Sequence, residues 1–172
     1  MKSLKTIVCL VLVLIAFKGS AQTNEAAIKD MVDAKRFIFS ATSAMPTNSS
    51  EINQILGKMS PGSAGTITLS GSAYDVQVYP DSLAVYLPYY GRSYSANMSH
   101  DDGGFKFSTK EFSYKSTKRR KGGWDITIMP KDTKENPRLN LTIFTNGNAT
   151  LNITSNNKQS ISYNGVLTKP KS

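Results

Sequence analysis

The chain has 172 residues, with 21 Lys and Arg against 12 Asp and Glu, and a formal charge of +9. At 39% hydrophobic and 19% charged residues it is neither a disordered polyelectrolyte nor a bundle of membrane helices. A single cysteine and a single histidine argue against a disulfide framework, a multi-thiolate zinc site and a His-rich centre, so neither metal nor cofactor is expected.

Met1–Ala21 reads as a cleaved export signal. Lys2 and Lys5 precede the apolar run Thr6–Phe17, and Gly19-Ser20-Ala21 supplies the small residues that a signal peptidase reads. The run is shorter than the ~20 residues a spanning helix needs, so no transmembrane segment is expected after cleavage. A retained membrane helix is the competing reading. Cys9 lies mid-run behind Val8 rather than at its end, which argues against lipidation. The mature chain, residues 22–172, is then a cysteine-free single domain, periplasmic or secreted and held by packing and hydrogen bonds.

Asn24–Arg36 carries a helical pattern. Asn24 is the expected N-cap, Glu25 sits in the first turn, and Ala27, Ile28, Met31 and Val32 form a narrow apolar stripe. From Phe37 the period becomes two, with Phe37 and Phe39 on one face until Met45-Pro46. Residues 47–65 read as a polar loop with a short helical turn at Glu51–Leu56. Beyond it the alternation continues through Ile67/Leu69, Tyr74/Val76/Val78, Leu83/Val85/Leu87, Phe105/Phe107 and Phe112/Tyr114. Trp124/Ile126/Ile128, Leu139/Leu141/Ile143, Leu151/Ile153 and Ile161/Tyr163 follow. Pro80-Asp81, Asp102-Gly103-Gly104, Gly122-Gly123, Asn146-Gly147-Asn148, Asn156-Asn157 and Asn164-Gly165 read as turns. About ten short antiparallel strands in meander order result. The expected fold class is all-β: a small, partly open β-barrel, or a β-sandwich, with one N-terminal helix.

Residues 86–94 hold Tyr86, Tyr89, Tyr90 and Tyr94 with Pro88, Gly91 and Arg92. As a ligand surface, Tyr89, Tyr90 and Tyr94 would stack on a ring while Arg92 pairs with an anion. As a sheet corner, the same tyrosines would cover a bend and bond its freed backbone groups. Residues 115–121 carry five cations, and as a hairpin tip Lys118, Arg119, Arg120 and Lys121 would contact an anionic surface. Alternatively they form a solvated turn that discourages edge pairing. Nucleic acid is not the expected partner, because Tyr114 and Trp124 fall on the buried face.

His100-Asp101-Asp102 reads as turn chemistry. Adjacent residues on a turn do not converge on a metal or form an acid–base pair. No Gly-x-Ser-x-Gly elbow, phosphate loop or dinucleotide fingerprint occurs. The Asn-x-Ser/Thr triplets at Asn48, Asn97, Asn140, Asn148 and Asn152 suit hairpin chemistry better than glycosylation.

The string Leu87-Pro88-Tyr89-Tyr90-Gly91-Arg92 resembles the hallmark of a secreted Bacteroidota family, domain of unknown function 4251. Phe105-Lys106-Phe107-Ser108, Trp124-Asp125-Ile126-Thr127-Ile128, Asn146-Gly147-Asn148-Ala149-Thr150-Leu151 and Ile161-Ser162-Tyr163-Asn164-Gly165 extend the resemblance over residues 35–167. It implies export and a shared fold, but no reaction. Where that family commonly has an arginine before the last strand, this chain has Asn157-Lys158-Gln159. If that arginine binds an anion through its planar fork, Lys158 would be a weaker substitute.

The expected function is a non-enzymatic, exported β-barrel-like binding module for a small amphipathic or anionic ligand at Tyr89, Tyr90, Arg92 and Tyr94. The alternative is a structural, envelope-associated protein that contacts an anionic envelope component through the basic hairpin. A hydrolase-type activity through His100 is the third reading.

Overall fold

The computed structural model describes residues 19–47, 65–69, 73–94, 104–133 and 135–170. Residues 1–18 of the expected leader, the Glu51–Leu56 turn, the His100-Asp101-Asp102 triplet, Asn48 and Asn97 lie outside the described residues.

Helix α1 spans Gly19–Asp33, so Asn24, expected as its cap, lies inside it. The helix also stops before Arg36, for a local reason. Lys35 adopts a left-handed backbone (φ 49°), its N–H donates to Val32 O, and the Arg36 N–H donates to Met31 O. Those two bonds satisfy the last carbonyls of the helix and turn the chain out. Ile28, Met31 and Val32 are buried, as the narrow stripe requires.

Ten strands follow: β1 (Phe37–Pro46), β2 (Ile67–Thr68), β3 (Asp75–Val78), β4 (Leu83–Leu87) and β5 (Phe105–Thr109), then β6 (Phe112–Lys118), β7 (Trp124–Pro130), β8 (Arg138–Ile143), β9 (Asn148–Thr154) and β10 (Ile161–Thr168). They form one antiparallel sheet in the order β5-β4-β3-β1-β10-β9-β8-β7-β6, with β2 paired to β1. One sheet, curled into a nearly closed barrel, settles the choice between barrel and sandwich. Meander order holds only within β3–β5 and within β6–β10. Strand β1 inserts between β3 and β10 and so joins the two runs.

The closure follows from direction. Eight antiparallel pairings in series leave β5 and β6 running the same way, with only Lys110 and Glu111 between them. They are therefore one bent strand, whose first half bonds β4 and whose second half bonds β7. Glu111 sits at the bend, where its carbonyl accepts from Lys131 N and its N–H donates to Thr109 Oγ1.

Alternation places Val85, Leu87, Ile126, Ile128, Leu139, Leu141, Leu151, Ile153 and Tyr163 inside. In β1 the phase slips between Ala41 and Ser43, so Ala44 and not Ser43 takes the next place on the buried face. The interior is filled by these side chains together with Phe37, Phe39 and Phe105.

Asn164-Gly165, read as a turn, lies within β10. Gly165 faces Ala41 of β1, and a Cβ there would overlap the Ser40 carbonyl oxygen and crowd the Phe39 ring at 2.9 Å. Close approach of two strands, and not a turn, requires that glycine. Gly123, by contrast, does sit in a tight turn, at φ 83°.

The triplets at Asn140, Asn148 and Asn152 have a simple origin. A spacing of two puts Asn140 with Thr142, Asn148 with Thr150, and Asn152 with Thr154 on the same outward face. There the side chains bond across strands, Thr127 Oγ1 to Asn140 Oδ1 at 3.2 Å and Asn152 Nδ2 to Ser162 Oγ at 3.0 Å.

Candidate functional site

Pro88 has no N–H to continue the ladder, so β4 ends at Leu87 and residues 88–94 wrap across the sheet toward residues 157–159. This bend carries its own polar partners. The Tyr89 hydroxyl lies 2.8 Å from Arg92 O and 3.1 Å from Gln159 O, and donates to that pair of carbonyls. Gln159 N donates to Arg92 O, Tyr94 N donates to Asn157 O, and Ser93 pairs with Lys158. From the barrel interior, the Tyr163 hydroxyl donates to Pro88 O at 2.6 Å. For Tyr89 the corner reading therefore describes what the side chain does.

Lys158 is the anchor of this corner. Its side chain is only 3% exposed, and its ammonium pairs with Glu135 Oε2 at 3.0 Å and donates to Gly104 O at 3.3 Å. It also lies 4.8 Å from the Phe105 ring centroid and 5.5 Å from that of Tyr89. At the position where the resembled family commonly has an arginine, this chain uses its charge internally.

Beside the corner, a cleft of about 220 Å³ opens on the outer side of β4 and β5, lined by Tyr74, Tyr86, Pro88, Tyr89, Tyr90, Gly104 and Lys106. The Tyr86 ring stacks on Tyr74 (centroids 5.8 Å apart, planes at 14°) and carries the Lys106 ammonium 5.0 Å from its centroid. Burial holds the Tyr89 and Tyr90 hydroxyls above the usual phenol range. The cleft thus offers ring walls, neutral hydroxyls and one cation at its lip.

Of the four expected ligand residues, Tyr89 and Tyr90 line this cleft, whereas Arg92 and Tyr94 do not. The Arg92 main chain is tied to Tyr89 and Gln159, and Tyr94 is 69% exposed. Tyr74, Tyr86 and Lys106 were missed. Tyr86 was legible as an aromatic ring at an outward step of β4, where the alternation predicts a polar residue. Tyr74 was assigned to the inner face, but it precedes β3 and turns toward Tyr86.

The expected basic tip is only partly a tip. Lys115–Lys118 belong to β6, and the turn begins at Arg119, whose N–H donates to Gly123 O. Lys118 pairs with Glu25 at 3.7 Å and Arg119 with Asp125 at 3.5 Å. Arg120 and Lys121 are exposed and make no ion pair among the described residues.

Burial also pushes the hydroxyls of Tyr163 and Tyr114 well above the usual phenol range. The unfolded chain releases these protons near pH 10 and the folded chain keeps them, so stability falls as pH rises above about 10. Thermal melts should show Tm dropping steadily from about pH 10 upward. Tyr163→Phe should flatten that slope, yet cost about 1–3 kcal/mol at pH 7 by leaving Pro88 O unsatisfied. An unchanged slope would separate Tyr163 from the alkaline loss.

Comparison with known proteins gives a consistent picture. A family model described as Domain of unknown function (DUF4251) matches residues 20–167. A crystal structure of a DUF4251 family protein from Bacteroides eggerthii DSM 20697 superposes with a TM-score of 0.57. It is 15% identical and the match covers 86% of this chain and 88% of that one. No curated protein matches the chain.

Proposed function

The chain belongs to the DUF4251 family, whose description carries no activity, and from that footing we propose that it is an exported, non-enzymatic binding module for a small amphipathic or anionic ligand. The observation that carries this reading is the tyrosine-walled cleft with Lys106 at its lip. An apolar ring would lie against Tyr90 and the Tyr74–Tyr86 pair, and an acidic substituent would meet the Lys106 ammonium. Lys106 here takes the anion-pairing role that the sequence suggested for Arg92. The cleft is smaller than the ~300–1,000 Å³ of drug-sized sites, which favours a ligand of a single ring. Because the barrel interior is packed, the ligand would sit in this outer cleft and not in a lumen.

Ligand-observed NMR with benzoate, phenyl phosphate and glucuronate tests this reading. At least one of the three should bind, and Tyr90→Ala and Lys106→Ala should each weaken it about tenfold, or ~1.4 kcal/mol. Tm should move by only a few degrees in both variants. No binding by any of the three, or binding indifferent to both substitutions, would remove the cleft from consideration. Tyr89→Ala is unsuitable as a test because its hydroxyl holds the bend.

A further inference from the structure

Two hairpins stand side by side at one end of the sheet. Trp124 pairs with Ile143, and a Cβ on Gly123 would overlap the Ile143 carbonyl and lie 3.3 Å from Phe144 Cα. The β6–β7 turn, with Arg119, Arg120 and Lys121, therefore abuts the β8–β9 turn, which begins at Phe144. Phe144 is 41% exposed, and the Arg119 guanidinium lies 5.4 Å from its ring centroid. Phe144 N donates to Asn148 O, and Asn148 faces Val166, itself 38% exposed. Phe144 and Val166 thus occupy one cross-strand row on the outer face, flanked by the cations of the neighbouring hairpin.

We propose that this end of the barrel docks on an anionic lipid surface, with Phe144 and Val166 entering the interface and the hairpin cations holding the headgroups. Charge complementarity selects the occupant. Among the described residues, Lys115, Lys118, Arg119, Arg120 and Lys121 face only Glu25 and Asp125 as ion-pair partners, which leaves the end positive. The apolar pair selects a bilayer over a soluble polyanion. A nucleic-acid strand needs successive exposed rings to stack on, whereas Phe144 is a single ring already covered in part by Arg119. An arginine stacked on a ring suits the boundary, where the guanidinium reaches phosphate while the ring stays in the acyl region. This surface is separate from the tyrosine cleft, so either proposal can fail alone.

Co-sedimentation of the protein with phosphatidylcholine vesicles, with and without one third phosphatidylglycerol, tests it. Binding should require the anionic lipid, and should fall at least tenfold between low and physiological salt. Arg120→Glu with Lys121→Glu should reduce it at least tenfold. Phe144→Ser should reduce it several-fold, and circular dichroism should be unchanged in both variants. Equal binding to neutral vesicles, or binding unaffected by the charge reversals, would overturn the proposal. So would capture by heparin or duplex DNA that survives Phe144→Ser in a protein that ignores vesicles, which would assign the surface to a soluble polyanion.

Discussion

Lys158→Ala is expected to cost about 3 kcal/mol of unfolding free energy, a large effect for a single polar side chain. The reason lies in what stays behind. Glu135 keeps its charge in a largely buried position, Gly104 O loses its donor, and the rings of Phe105 and Tyr89 border a void. Breaking one half of a buried pair typically costs 3–5 kcal/mol, and the partial exposure of Glu135 keeps this case near the lower end. The same logic predicts a rescue. Lys158→Met combined with Glu135→Gln should recover most of the loss, since methionine fills the space and no uncompensated charge remains. Urea titration of Lys158→Ala and of the double variant gives the comparison. A double variant no more stable than Lys158→Ala would mean that the corner depends on the ion pair itself.

Gly165→Ala should be comparably damaging, at about 3 kcal/mol, although it adds only one methyl group. The atom it would strike is a backbone carbonyl of β1, which cannot rotate away as a side chain can. Relief requires moving β1 from β10 along the pairing that runs from Ile38↔Thr168 to Pro46↔Ile161. The urea midpoint should fall while the m-value stays constant. Val166→Ala, one residue on and partly exposed, should shift stability by less than about 0.5 kcal/mol. Equal effects at the two positions would contradict the close-approach explanation.

Much of the fold was legible because side-chain alternation is a local property. Residues such as Trp124, Ile126 and Ile128 report their buried face without reference to any neighbour. Pairing order is not local. Nothing between residues 37 and 46 announces that β1 will divide β3 from β10, and the glycine that permits it resembled an Asn-Gly turn. The helix end was missed because Lys35 adopts a conformation more usual for glycine.

The site was legible to a similar degree. The unusual density of tyrosine and proline marked the bend beside which the cleft lies, and the corner reading describes the hydrogen bonds of Tyr89. Tyr89 holds the turn, whereas Tyr90 lines the cleft. Lys106 was invisible as a site residue because it lies in an ordinary alternating strand, next to Tyr86 only through the β4–β5 register. Phe144 escaped for the opposite reason. It follows the last inward residue of β8, and one aromatic residue beside a turn draws no attention without the cations across from it.

The central position of β1 also governs the timetable of assembly. Thr168 Oγ1 donates to Ile38 O across 130 residues of chain, so the strand made first waits for the strand made last. A chain emerging residue by residue can add β3, β4 and β5 to β1 early, but it cannot close the β6–β10 run onto β1 until synthesis is nearly complete, and so long a loop also slows closure afterwards. Until then the barrel stays open on the side of β1 that β10 will cover.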